Sequence, residues 1–335
     1  MAAGVVSVAL CTHNGERFIE DQLLSILAQS QPPIEIVLSD DASTDATVEL
    51  ARNAVKGYIE AHPDCMTRLH VMQNPKALGV VKNFEQAILA CGSELVALSD
   101  QDDTWAVDKL EQAVAIFARR PGLLLLHTDA RLIDEAGAVL PGSLFGVLGV
   151  NGRLQHEIHD GSAFELLLRR NLVTGATTII RRHLAQIAVP FPTSWVHDEW
   201  LAIIASVIGE LDLLPNPLID YRQHESNQIG ARRLSAVGKL RRVIEPGADR
   251  NRRLLARALE LVRKLEELGE AVSSSRLTAA QRKLLHEQAR SSLQPRRWAR
   301  LIPILREVLS GRYKAFGGGF VDAARDLVQP LRSDR

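Results

Sequence analysis

Two short acidic runs hold the densest chemical potential in this chain, Asp40-Asp41 and Asp100-Gln101-Asp102-Asp103. Each follows an apolar stretch, Ile34–Leu38 and Leu95–Leu98. Carboxylates as close as Asp100, Asp102 and Asp103 repel one another and are costly unless a cation neutralises them. Hard oxygen ligands select Mg²⁺ or Mn²⁺, which can bridge a diphosphate and stabilise the charge that develops as it leaves. A solvated acidic turn or a helix cap is the plainer alternative, and the run alone leaves both open. In the first pair, one carboxylate could accept hydrogen bonds from a base or ribose, where loop and capping chemistry is the alternative. Two such pairs at successive strand ends strengthen each other.

The elements that must position these residues follow from the apolar pattern. Val5–Leu10, Ile34–Leu38, Leu69–Met72, Leu95–Leu98 and Leu123–His127 read as short buried strands. Between them Phe18, Ile19, Leu23, Ile26 and Leu27 recur at helical spacing, and Asn83–Ala90 reads as another helix. Ser43 or Asp45 could cap the helix that carries Val48, Leu50 and Ala51. This alternation predicts a layered α/β domain. Each polar cluster falls just after a strand's C-terminal end, where open α/β sheets place their ligands.

From about residue 231 the texture changes to arginine-rich amphipathic helices, first through Leu254, Leu255, Ala258, Leu261, Val262 and Leu265, then across Leu284–Leu293. Gly317-Gly318-Gly319 marks a hinge or loop. The formal net charge of zero conceals an asymmetry. Residues 1–230 hold 16 Lys and Arg against 29 Asp and Glu, whereas residues 231–335 hold 24 against 11. The expected organisation is therefore a catalytic domain over 1–230 and a basic helical region over 231–335, with different partners or docked on one another.

An apolar fraction of 46% and a charged fraction of 24% are those of an ordinary soluble protein. No apolar run reaches the roughly 18 residues needed to span a bilayer. The stretch Trp200–Gly209 reads as a buried helix, stopped by Glu210 and Asp212. No basic n-region precedes Val5, and Cys11, Cys65 and Cys91 lie far apart without metal-like spacing. No signal peptide is expected, and a reducing cytoplasm is the expected compartment.

Three segments together resemble a known family: Val8-Ala9-Leu10-Cys11-Thr12-His13-Asn14-Gly15-Glu16, Ser39-Asp40-Asp41-Ala42-Ser43-Thr44-Asp45 and Leu98-Ser99-Asp100-Gln101-Asp102-Asp103-Thr104-Trp105. They are similar to glycosyltransferase family 2, and within it to the bacterial branch that includes rhamnosyltransferases of surface-polysaccharide assembly. The likeness continues through Leu78–Glu85, Asn171–Thr177, His197-Asp198-Glu199-Trp200 and Tyr221–Asn227, and so spans about residues 5–230. Any one of these motifs is weak; seven in order are specific.

The resemblance implies a GT-A fold, a Rossmann-like mixed sheet in one nucleotide-binding α/β domain, followed here by the helical extension. By position, Thr12 and Asn14 would line the nucleotide pocket, Asp40 or Asp41 would hold the base or ribose, and Lys82 would sit near the base or diphosphate. Asp100 and Asp102 would form the family's DxD pair, with Gln101 among the donor-binding residues. Asp102 is the expected metal ligand and Asp103 its supporting neighbour. Asp198 matches the family's base, which deprotonates the acceptor hydroxyl in an inverting transfer. Glu199 follows it immediately, and His197 stands where an acidic residue is usual, so the base is open between Asp198 and Glu199. His224 could complete the metal shell or contact the diphosphate, with Asn227 nearby. Trp195 and Trp200 could stack on an acceptor sugar, although core packing is the commoner fate of a tryptophan.

The implied partners are a nucleotide-diphosphate sugar, Mg²⁺ or Mn²⁺, and a saccharide or lipid-linked acceptor. A nucleotidyltransferase would need a Gly-rich basic phosphate loop, in which Thr12–Glu16 is poor. No GxGxxG follows the first strand, which argues against a dinucleotide-dependent oxidoreductase. A non-catalytic sugar-binding or scaffold protein would not need acidic residues at all three sites. The basic region lacks the interleaved aromatics of a nucleic-acid binder and fits a membrane surface, at the cytoplasmic face of the inner membrane, or a homodimer interface. Arg296, Arg297 and Arg300 around Trp298 are the expected membrane contacts.

Overall fold

The computed structural model describes residues 6–223 and 247–329. The chain divides into two compact units, Met1–Gly161 with Leu172–Ala231, and Ser162–Asn171 with Arg232–Arg335. The boundary near residue 231 lies where the charge changes sign, but a short excursion from the first half belongs to the second unit.

The first unit begins with an alternation of strands and helices: β1 (Val6–Thr12), α1 (Ile19–Leu27), β2 (Glu35–Asp40), α2 (Thr47–Ala61), β3 (Arg68–Gln73), α3 (Val80–Ala90) and β4 (Leu95–Ser99). Next come β5 (Thr104–Trp105), α4 (Lys109–Arg119), β6 (Leu123–Ile133), β7 (Val139–Ser143), α5 (Leu144–Leu148) and α6 (Gly152–His159). The helix α7 (Ala163–Arg169) is the excursion. The chain then returns through a 3₁₀ turn at Gly175–Thr177 to β8 (Thr178–Arg181), α8 (Arg182–Ala188), α9 (His197–Ile208) and β9 (Glu210–Arg222).

These strands form one mixed sheet of order β3-β2-β1-β4-β8-β6-β9-β5, with β7 on β6. The pairs among β3, β2, β1 and β4 are parallel, and β8 enters antiparallel beside β4. β1, β2 and β4 are buried along their whole length, as a parallel sheet covered on both faces requires, and this is why they read as continuous apolar runs. β3, at the edge, alternates between exposed and half-buried residues. Register pairs Thr12 with Asp40 and Leu10 with Ser99, so the acidic runs leave the same edge of the sheet on either side of β1. The chain reverses its direction of travel across the sheet at β1, a topological switch point. The helix α9 is buried on nearly every side, as its apolar sequence demands.

In the second unit, α7 joins α10 (Gly247–Leu268), α11 (Ser274–Ser291), α12 (Leu301–Leu309), α13 (Arg312–Phe316) and α14 (Phe320–Val328). Its small apolar core holds Leu293, Ile304, Tyr313 and Ala323. Arg290 is buried between Asp326, at 2.7 Å, and Glu287, at 3.1 Å, and the Tyr313 hydroxyl donates to Asp326 at 2.8 Å. Arg300 corrects an expectation. It is buried, and its guanidinium donates to the carbonyls of Gln294, Pro295, Asp326, Leu327 and Gln329, so it is an internal strut rather than a surface cation. Arg296 and Arg297 are exposed and Trp298 is 71% exposed. No helix among the described residues is long and apolar enough to cross a membrane.

Candidate active site

The end of β1 is built around its neighbour's carboxylate. Thr12 Oγ1 donates to Asp40 Oδ1 at 2.8 Å, and the Ser43 amide donates to Asp40 Oδ2 at 2.9 Å. Asp41 Oδ1 accepts from the Leu78 amide at 2.6 Å and the Asn74 side chain at 3.2 Å, while Oδ2 accepts from the Gly79 amide at 2.9 Å. Both aspartates are buried and tie β1, β2 and the start of α3 into one wall. Asn14, in the left-handed region at φ 48°, accepts from the Thr44 amide at 2.9 Å and stitches the first loop to the second. Asp45 accepts from the Thr47 amide at 3.1 Å, which anchors the start of α2. Lys82, in the first turn of α3, pairs with Glu85 at 2.8 Å.

Gln101 clasps the backbone of the first loop: its Oε1 accepts from the His13 amide at 2.8 Å and its Nε2 donates to the His13 carbonyl at 3.1 Å. A Cβ at Gly15 would lie 2.2 Å from Gln101 Oε1, so only glycine leaves room for the clasp. Gln101 thus positions the first loop against the acidic run.

The acidic run itself is not internally satisfied. Burial, with Asp102 and Asp198 nearby, pushes the Asp100 carboxyl up to about 7 despite the relief supplied by Lys109. Burial, Asp102 and Asp100 raise Asp103 well above the usual carboxylate range. Asp103 Oδ1 accepts from the Arg222 amide at 2.9 Å, but its buried Oδ2 has no hydrogen-bond partner among the described residues. Arg222, at the end of β9, also donates to the Asp102 carbonyl at 2.8 Å and stacks its guanidinium 4.5 Å from the Phe18 ring. Tyr221 beside it is raised by burial and then by Asp100, Asp103, Asp102 and Asp198, so four carboxylates lie within electrostatic reach of its hydroxyl.

Asp198 lies in the first turn of α9. Its Oδ2 accepts from the Gly175 amide and its Oδ1 from the Glu199 amide, each at 2.7 Å, which fixes the carboxylate's orientation. His197 stacks on Phe84 with ring centroids 3.8 Å apart, and burial lowers its imidazole to about 3, so the ring is neutral. A Cβ at Gly175 would lie 2.7 Å from His197 Nε2, which accounts for the glycine. Trp200 takes the core-packing alternative: it is 1% exposed and its Nε1 donates to the Ala188 carbonyl at 2.8 Å. Trp195 is also buried, tilted against it at 5.5 Å. Glu199 is half-buried beside Asp198. His224 and Asn227 lie outside the described residues.

Among the described residues no three His, Cys, Asp or Glu side chains converge on a point that could hold a metal alone. The unrelieved charge at Asp100 and Asp103 nonetheless fits a hard cation. Mg²⁺ in particular is commonly held by one or two carboxylates, with phosphate oxygens of the substrate completing its shell. The residues that reading the sequence missed are Arg222, Tyr221 and Lys109. The last is fully buried at the start of α4, and nothing in Asp108-Lys109-Leu110 distinguishes it from a surface lysine.

The sheet order and the acidic strand ends can be set beside known proteins. The Glycosyl transferase family 2 model matches residues 7–174. An uncharacterized protein of Mycobacterium tuberculosis is 28% identical over 224 residues, 65% of this chain and 59% of its own, so the chain spans about three fifths of that relative's length. The dTDP-rhamnosyl transferase RfbG of Shigella flexneri is 28% identical over 236 residues, 66% of this chain and 74% of its own. Among solved structures, S. aureus TarS 1-349 in complex with UDP-GlcNAc superposes with a TM-score of 0.58 at 17% identity, covering 96% of this chain and 88% of that one. The mannosyltransferase PcManGT from Pyrobaculum calidifontis, in complex with GDP-Man and Mn²⁺, gives 0.50 at 17%, with 98% and 86% covered. At these identities the structural likeness speaks to the fold alone, which is the GT-A fold. The chain belongs to glycosyltransferase family 2.

Proposed function

We propose that this protein transfers a sugar from a nucleotide-diphosphate donor to a saccharide or lipid-linked saccharide, with inversion, in bacterial surface-polysaccharide synthesis. The observation that carries the reading is that Asp100, Asp102, Asp103 and Asp198 lie within electrostatic reach of one another near the switch point of the sheet, where burial and mutual repulsion raise Asp100 and Asp103. Asp102, with Asp100 beside it, would hold Mg²⁺ or Mn²⁺, which when bound offsets the charge of the leaving diphosphate. Asp40, Asp41, Thr12 and Asn14 form the wall against which a base and ribose would pack, with Lys82 at its rim. Asp198, oriented by two backbone amides, takes the proton from the acceptor hydroxyl. The relative named a dTDP-rhamnosyl transferase makes dTDP-rhamnose the first donor to test. A thermal-shift screen of nucleotide sugars with and without Mn²⁺ tests the reading, because a bound donor stabilises the fold by mass action. No stabilisation by any nucleotide sugar, with cation present, would defeat it.

The second unit supports attachment to an anionic lipid surface, which would bring the enzyme to a lipid-linked acceptor. Exposed Trp298, Leu301, Ile302, Leu305 and Leu309 form an apolar stripe beside exposed Arg296, Arg297 and Arg306. Each such cation contributes about 1 kcal/mol near an anionic bilayer, and tryptophan favours its interface. Flotation with anionic but not zwitterionic vesicles, lost at high salt, is expected. A salt-resistant dimer that floats with neither would make the stripe an interface between copies.

A further inference from the structure

Lys109 is 0% exposed, yet nothing in the transfer chemistry above uses it. Its Nζ lies 3.6 Å from the centroid of the Trp105 ring, and burial draws it well below the usual lysine range against the opposing attraction of Asp103 and Asp100. It donates a hydrogen bond to the carbonyl of Ala176 at 3.0 Å. Ala176 sits in the 3₁₀ turn Gly175–Thr177, and the amide of the preceding Gly175 is the one that holds Asp198 Oδ2. One side chain therefore touches both halves of the site. On one side is the acidic loop, gripped through charge and through Trp105 of the same loop. On the other is the turn that orients the base.

Burying an ammonium is expensive, and a lysine that served packing alone would be replaced without loss by an apolar side chain of its length. What an apolar side chain cannot supply is a donor to Ala176 together with attraction to Asp103 and Asp100. We propose that Lys109 is a positioning residue that links the acidic loop to the Gly175–Thr177 turn, so that occupation of the loop and orientation of Asp198 are mechanically joined. This inference rests on the reading of the acidic loop as the donor and cation site. It adds a link between two parts which that reading treats separately.

The test is hydrogen exchange of the 172–178 segment with and without UDP or dTDP plus Mn²⁺, in the full chain and in Lys109→Met. In the unaltered protein the nucleotide and cation, bound at the acidic loop, should slow exchange at 172–178 by roughly tenfold. In Lys109→Met, with nucleotide and Mn²⁺ raised until calorimetry shows the site occupied to the same degree as in the unaltered protein, the slowing at 172–178 should disappear. Because Lys109→Met removes a neighbour that attracts buried Asp103, the double variant Lys109→Met with Asp103→Asn keeps the test open should the single variant fold poorly, and at matched occupancy the same loss is expected there. Lys109→Arg, which restores a donor, should recover part of the protection. Ligand-induced slowing that survives in Lys109→Met or in the double variant overturns the link. If the unaltered protein binds neither nucleotide, the donor-site reading fails and the link falls with it, an outcome distinct from binding without transmitted protection.

Discussion

Asp40-Asp41 and Asp100–Asp103 look alike in sequence, an acidic run after a buried parallel strand, yet the protein treats them in opposite ways. The first pair is satisfied from within: Thr12, Ser43, Asn74 and the amides of Leu78 and Gly79 supply donors to its oxygens. The second is left with a buried oxygen on Asp103 that has no partner among the described residues and a carboxyl at Asp100 that burial and its neighbours push up to about 7. Carboxylates that accept several backbone hydrogen bonds act as rigid fixtures, whereas carboxylates that burial and each other destabilise favour whatever brings positive charge. On the function proposed above, the first loop is a preformed wall and the second is the reactive end of the site. Asp198 combines the two treatments, since amides hold it and yet it adds to the repulsion felt by Asp100.

The largest expected effect breaks the base out of this set. Asp198→Asn should lower transfer by about 10²–10⁴-fold, the usual worth of a general base. UDP or dTDP binding with Mn²⁺ should change less than about threefold, because the base acts on the acceptor. Turnover retained in Asp198→Asn but lost in Glu199→Gln would move the role one residue along. Next in size, Asp102→Ala should weaken cation-dependent nucleotide binding by about tenfold or more in calorimetry. Equal affinity in EDTA would remove the metal from the argument.

A third measurement sets the two loops directly against each other. Asp41→Asn swaps charge-assisted bonds from Leu78 and Gly79 for weaker ones and turns an amide group against at least one donor. A loss of about 2 kcal/mol is expected, or a fall in Tm of roughly 4–8 °C for a domain of this size. Asp100→Asn, by contrast, removes a repelling charge and should leave the metal-free protein as stable as before or more so. If both variants lost stability alike, the distinction between wall and reactive loop would be wrong.

Much of this was legible before the structure, and the rest was not for definable reasons. The parallel half of the sheet was readable because β1, β2 and β4 are buried on both faces and must be continuously apolar. β9 was not, because Pro215 and Pro217 fall inside it, where proline argues against a strand; its register against β6 shifts between Thr128 and Asp129, where the prolines are accommodated. The excursion of α7 was invisible, since a seven-residue amphipathic turn does not say which core it joins. The acidic residues were readable as types but not as roles. Asp41's partners lie 37 and 38 positions away and are backbone amides, which carry no side-chain signature. Lys109 was unreadable for the same reason: what makes it unusual is Trp105 on one side and the Ala176 carbonyl on the other.

The smallest expected effect concerns protons, and it sharpens the contrast most finely. Asp100 has a folded-state pKa of about 7 against an ordinary value of 3.8. Between those values the folded protein holds a proton that the unfolded chain has released, so stability without cation should fall as pH rises from about 4 to 7 and level off above. A cation needs the carboxylate, so it must displace that proton when it binds at lower pH. Mn²⁺-dependent nucleotide binding should accordingly strengthen by roughly fourfold between pH 6.5 and pH 8, with proton release that diminishes over the same interval. Calorimetry in two buffers of different ionisation enthalpy reads both quantities at once. In Asp100→Asn the proton linkage near neutrality should shrink, leaving the share of Asp103, while the wall at Asp40-Asp41 is untouched. If the linkage persisted unchanged in that variant, the titrating group would lie elsewhere in the site, with Asp103 the next to replace, and Asp100 would have no part in it.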